Sequence, residues 1–261
     1  MLHRFNALAA WYRRCNEISS LRTIFDQTDR YFSNNNYLYP QSARIHLYYS
    51  ILPILIAQEE YPLAGALIAR SLDLTAPGSH NWQAIMLFKA TLGFYSEKPG
   101  IALNAYKQAI KRPKEMSEEV AHRWQLVGAY LSVLGLLENF DFKKLGDDVP
   151  ARFARALHCL SKNRALFHKE IIAMRRFWTA SKLGARERAF FELLKTVSQT
   201  EFDRRRTIML ARSWYTKLRK KRLAMISDDE MVPFEQLWAL VLGMINANAK
   251  DAKGAKETQN K

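Results

Sequence analysis

The sequence predicts an all-α protein, and three observations carry that prediction. Apolar and polar residues nowhere alternate with period two over a useful length, so no strand is expected. Glycine and proline are scarce, at 10 and 8 in 261 residues, too few for the turns of a β-rich fold. Apolar residues instead recur at helical spacing in segments separated by short breakers.

The elements follow in order. Leu2, Phe5, Leu8 and Trp11 mark an amphipathic opening helix, read as the trailing half of a helix pair from a longer parent. Ser20 to Phe32 is a helix ended by Ser33-Asn34-Asn35-Asn36, and Gln41 to Glu59 follows it. Pro62 to Leu74 stops at Ala76-Pro77-Gly78, and His80 to Ser96 stops at Glu97-Lys98-Pro99-Gly100. Ile101 to Arg112 is closed by Pro113. Ser117 is placed to cap a long helix reaching Glu138, with Glu118 and Glu119 at its positive end. A loop over Asn139 to Val149 precedes a strongly basic segment.

That segment holds the charge imbalance. The chain carries a formal +15, and residues 150–222 alone account for +15, with 20 Lys+Arg against 5 Asp+Glu. The rest is close to neutral, so a negatively charged partner is sought at this stretch. Cys15 and Cys159 match no metal or redox spacing and are expected reduced and buried, which suits a cytoplasmic setting. No segment has the continuous apolar length to cross a bilayer, so no membrane association is expected.

Side chains repeat at a step of 38 residues. Tyr48, Met86 and Trp124 fall on it, as do Leu52, Ala90 and Gly128. Tyr61, Ala64, Ile68, Ser71 and Leu72 recur as Pro99, Ala102, Tyr106, Ala109 and Ile110. Small residues at such positions let paired helices close up while large ones fill the groove between them. Trp124, Val127, Gly128 and Leu131 resemble the first helix of a tetratricopeptide repeat, and Ala102, Tyr106 and Ala109 resemble its second. The departures are a 38-residue period, Lys89 in place of a large apolar residue, Leu52 in place of a small one, and loss of the second-helix pattern after Glu138. The resemblance covers residues 41–138 and implies a right-handed α-solenoid of antiparallel helix pairs. Met231 to Trp238, followed by Ala239 to Leu242, is similar to the closing motif of a group of uncharacterised helical-repeat proteins from Bacteroidetes. Residues 233–245 are then expected to be a capping helix, with Leu237, Trp238, Val241, Leu242 and Ile245 on its apolar face. The expected organisation is a helical-repeat domain over 1–245 and a disordered tail over 246–261, which has no large apolar residue.

Catalytic constellations are missing from the sequence. Phosphate-cradling and zinc-binding motifs are absent, and the six histidines include no i, i+4 pair. His158 and Cys159 are neighbours on a helix, so they point about 100° apart and do not form a nucleophile–base pair. Asp228-Asp229-Glu230 reads as a solvated turn, with cation binding as the alternative. No enzyme activity and no cofactor are expected.

What remains is a basic, aromatic-containing helix. Ile208, Ala211, Trp214, Tyr215, Leu218 and Met225 gather on one side at 100° per residue. Arg205, Arg212 and Arg219 form a ridge on the other side, with Arg206, Lys217 and Lys220 beside it, extending for about 21 Å. These six residues are the candidate polyanion-binding set; the alternative is a solvated face whose cations pair with acids or lie over apolar surface. Arg175-Arg176-Phe177-Trp178 is a second basic-aromatic cluster, its rings expected in the core. The expected function is a non-enzymatic scaffold that grips a protein or peptide on its 41–138 region, with Tyr48, Lys89, Tyr106 and Arg123 as exposed candidates. Nucleic-acid binding through 150–222 is the alternative.

Overall fold

The computed structural model describes residues 7–8, 17–35, 41–112, 116–178, 183–200, 203–220 and 230–259. For residue 18, residues 176–178, residue 220 and residues 248–259 it describes the backbone alone. The predicted opening helix, Cys15, Met225, Asp228 and Asp229 therefore lie largely or wholly outside the described residues, as do the side chains of Arg176, Phe177, Trp178 and Lys220.

Among the described residues all regular structure is helical. The helices are α1 (Ile18–Asn34), α2 (Gln41–Ala57), α3 (Tyr61–Asp73), α4 (His80–Tyr95), α5 (Pro99–Ala109), α6 (Glu118–Val133), α7 (Val149–Lys162), α8 (Arg164–Trp178), α9 (Ala185–Gln199), α10 (Arg204–Lys220) and α11 (Phe234–Gln259). A 3-10 turn at Phe142–Lys144 interrupts the loop before α7. Helices pack mainly on their neighbours in sequence. The chain divides into two compact units, residues 1–127 and 128–261.

The first unit is built on α1 to α5. Phe25 of α1, Tyr48 and Leu52 of α2, Ile85 and Met86 of α4 and the alanines of α5 are all buried. Ala64 and Ala102, one repeat apart, are both fully buried, and their small side chains let α3 and α5 lie close to the preceding helices. Gly93 shows how close. A Cβ there would stand 2.7 Å from the backbone nitrogen of Ala102, so only glycine permits this approach of α4 to α5. Leu55 holds a full side chain at the matching place in α2, so the two helix pairs cannot pack identically.

The 38-residue step is also written in the backbone. Glu59, Glu97 and Gly135 all have positive φ, at 64°, 58° and 74°. In each case the next N–H reaches back to the carbonyl five residues earlier: Glu60 to Leu55 at 2.9 Å, Lys98 to Gly93 at 2.8 Å and Leu136 to Leu131 at 2.9 Å. The left-handed residue itself donates three residues back, to Ile56, Phe94 and Ser132. This is the Schellman closure of a helix C-terminus, formed three times at one period. It ends α6 at Val133 rather than near Glu138, where the apolar pattern had placed the end. A Cβ on Gly135 would meet nothing within 4 Å, so only its backbone angle is at stake. Gly135→Ala is expected to cost about 1 kcal/mol in urea unfolding with an unchanged m-value. The boundaries of α1 to α5 agree with expectation within about three residues, and Ser117 caps α6 through the N–H of Val120 as expected.

The second unit is built around α9. Phe153 of α7, Phe190 of α9 and Phe234 of α11 form one aromatic cluster, with ring centroids 4.9 to 5.5 Å apart. Asp148 caps α7 by accepting from Ala151 N–H at 2.8 Å, and the buried Tyr130 hydroxyl donates to the Pro150 carbonyl at 3.2 Å. Leu237, Trp238, Val241 and Ile245 of α11 are buried and Leu242 is half-buried. The backbone of α11 stays helical to Gln259, through most of the segment expected to be disordered. Ala, Lys and Glu are strong helix formers, so a composition unable to build a core can still prolong a helix already begun. No described helix is long and apolar enough to cross a membrane.

Candidate interaction surface

The basic ridge lies on α10, which is fastened at both ends. At its start the Asp203 side chain accepts from Arg206 N–H at 3.0 Å, a helix N-cap. Thr207, fully buried, donates to the Asp203 carbonyl and meets the Thr200 hydroxyl, each at 2.6 Å. Near its end the Leu218 carbonyl accepts from Arg186 of α9 at 2.6 Å.

Arg186 is only 2% exposed, and it lies between two carboxylates. Its guanidinium makes a two-pronged contact with Glu230 at 2.5 and 2.8 Å and reaches Glu235 at 2.8 and 3.0 Å. Burial pushes the Glu230 carboxyl up, and the bonds from Arg186 pull against that shift. The Glu230 carboxylate also accepts from Phe234 N–H at 3.1 Å, holding the start of α11. The expected solvated turn is therefore wrong at Glu230, which is buried and paired because α9, α10 and α11 converge on it. Among the described residues no cluster of three or more potential ligands could hold a metal ion.

On α10 the buried line is narrow: Thr207, Ala211 and Leu218. Trp214 and Tyr215 are half-buried. Ile208 departs from the expected apolar face, since it is 43% exposed, and Met209 and Leu210 are exposed at 68% and 49%. Arg205, Arg206, Arg212, Lys217 and Arg219 are all exposed. At 100° per residue Arg205, Arg212 and Arg219 form one row, and Arg206 and Lys217 form a second about 120° away around the helix. Met209, Ser213 and Thr216 run between the rows and floor a shallow open depression that Leu210, Arg212 and Lys217 border.

None of these five cations pairs with an acid among the described residues. Lys217 instead lies 4.1 Å over the Trp214 ring, and Arg219 lies 5.9 Å over Tyr215. The aromatic faces are thus partly covered by the helix's own cations.

Of the exposed candidates in the first unit, Tyr48 is a clear correction. It is fully buried, and its hydroxyl donates to Asp29 at 2.8 Å. Its alignment with Met86 and Trp124, both buried, was the signal that it belonged to the core. Lys89 and Tyr106 are half-buried, the latter against Trp124, and Arg123 pairs with Glu119 on its own helix. His158 stacks on Phe142 at 3.9 Å and its pKa is lowered by burial and then by Lys162. Cys159 is half-buried rather than buried as expected, and what burial it has raises its thiol, which keeps it protonated. No family model, curated protein or solved structure matches the chain.

Proposed function

We propose that the chain is a non-enzymatic helical-repeat scaffold that docks an acidic protein segment on the exposed face of α10. The repeat-bearing region of the first unit is read as a right-handed, tetratricopeptide-like solenoid of antiparallel helix pairs, in a reducing cytoplasmic setting. One observation carries the docking reading: Ile208, Met209 and Leu210 are exposed on the same helix as five cations without acidic partners among the described residues. A surface that is both cationic and apolar complements an acidic segment that brings its own apolar anchors.

Nucleic acid is the second reading, favoured by the length and straightness of the Arg205–Arg212–Arg219 row. Backbone phosphates would neutralise that row but offer nothing apolar to Met209 and Leu210. The half-buried Trp214 and Tyr215, lying under Lys217 and Arg219, are poorly placed to stack on bases.

A photoreactive amino acid in place of Met209, activated in the native host, tests the choice. The docking reading expects a discrete adduct with an acidic protein. Adducts with nucleic acid alone would replace it with the second reading.

A further inference from the structure

A polar cleft in the first unit brings three arginines together where α1, α2 and α3 meet. Arg30 of α1, Arg44 of α2 and Arg70 of α3 line it, with Asp29 at its base and Asp26 at its rim. Asp29 is buried and both oxygens of its carboxylate accept hydrogen bonds. Oδ1 accepts from the Tyr48 hydroxyl at 2.8 Å and from Nε and Nη2 of Arg44 at 3.3 Å, and Oδ2 accepts from Nη1 of Arg70 at 3.3 Å. Burial, and then the bond to Asp29, push the Tyr48 hydroxyl up, so it stays a donor and locks this arrangement.

Asp29 thus holds two guanidiniums in place while using only part of each. Nη1 of Arg44, and Nε and Nη2 of Arg70, have no acceptor among the described residues. Arg30, four residues after Asp26 and exposed, has no bonded partner there either. Fixed, convergent guanidinium donors with spare N–H groups are what an oxyanion requires. Asp29 is engaged by Tyr48, Arg44 and Arg70, so it contributes position rather than recognition. Asp26 would repel a bare anion and would accept from a donor group carried next to one.

We propose that this cleft binds an oxyanion, a phosphate or carboxylate, whose carrier places a cationic or hydroxyl donor beside it. Arg30, Arg44 and Arg70 take the anionic oxygens and Asp26 takes the neighbouring donor. The site is separate from α10 and does not depend on what α10 binds.

Titration of the whole protein with inorganic phosphate, acetate and phosphoethanolamine, followed by arginine side-chain NMR, tests it. The site should saturate with phosphoethanolamine and bind it more tightly than inorganic phosphate. A tighter response to acetate than to phosphate would identify the carboxylate as the source. Arg30→Gln, which removes a residue with no bonded partner among the described residues, should weaken binding roughly tenfold. Asp26→Asn should erase the preference for phosphoethanolamine and tighten inorganic phosphate. No saturable change with any of the three, or an Arg30→Gln protein that binds as well as wild type, would overturn the proposal. The NMR spectrum of each variant also reports whether it is folded, so loss of binding is read only from folded protein.

Discussion

Replacing Arg186 with methionine is expected to remove about 3–5 kcal/mol of stability, enough to unfold many domains of this size. The cost comes from what is left behind. Glu230 is fully buried and would keep its charge with no guanidinium beside it, Glu235 would lose its partner, and the Leu218 carbonyl would lose its donor. The loss should depend on pH in a defined direction. Without Arg186 its lowering effect is lost, and burial, with Glu235 nearby, carries the already raised folded pKa of Glu230 further above the unfolded value. A raised carboxyl favours the fold only while it is protonated, so the deficit should be largest near neutrality and shrink as pH falls toward the ordinary carboxylate range. Adding Glu230→Leu to Arg186→Met removes the orphaned charge and should recover more than half of the loss, although Phe234 N–H then lacks its acceptor. Urea unfolding of the single and double variants at two pH values reads all of this. Equal stability of the two variants would show that the buried pair is not what holds α9, α10 and α11 together.

Gly93→Ala carries the second large effect, expected at about 3 kcal/mol. This is a single added methyl on a helix, which by propensity alone would be mildly favourable. The structure reverses the sign. The new Cβ would lie 2.7 Å from the Ala102 nitrogen, 3.1 Å from the Ile101 Cβ and 3.2 Å from the Lys98 carbonyl oxygen. Backbone cannot move aside as a long side chain can, so α4 and α5 must separate. The carbonyl of Gly93 also accepts from Lys98 N–H in the helix-ending closure, so the same shift would loosen that bond. Glycine at position 135 supplies the contrast: its substitution meets open space and costs only the backbone angle. A thermal or urea comparison of the two alanine variants separates steric from conformational cost. A Gly93→Ala protein as stable as Gly135→Ala would mean that the α4–α5 approach is looser than described.

The helices were legible because their ends are marked by residues with direct backbone consequences, such as Gly78, Pro99 and Ser117. The 38-residue step was legible in side chains, and its strongest expression was not. Two of the three left-handed closing residues are Glu59 and Glu97, and nothing about glutamate announces a positive φ. The network around Arg186 was hidden for a different reason. Its partners lie 44 and 49 residues away, and Arg186 sits in a run that reads as one more piece of a basic surface. Glu230 was concealed in the same way by its acidic neighbours. On α10 the row of arginines follows from spacing alone. The exposure of Ile208, Met209 and Leu210 does not, because only packing shows that the helix meets its neighbours along one narrow line.

The most direct test of α10 as a docking face is charge reversal along that row in the crosslinking experiment. Arg205, Arg212 and Arg219 are exposed and without acidic partners among the described residues, so changing all three to glutamate should leave thermal stability within a few degrees of wild type. The protein adduct formed from position 209 should then disappear, and in the unreversed protein it should weaken with added salt. A folded triple variant that still forms the same adduct in full would contradict α10 as the docking face.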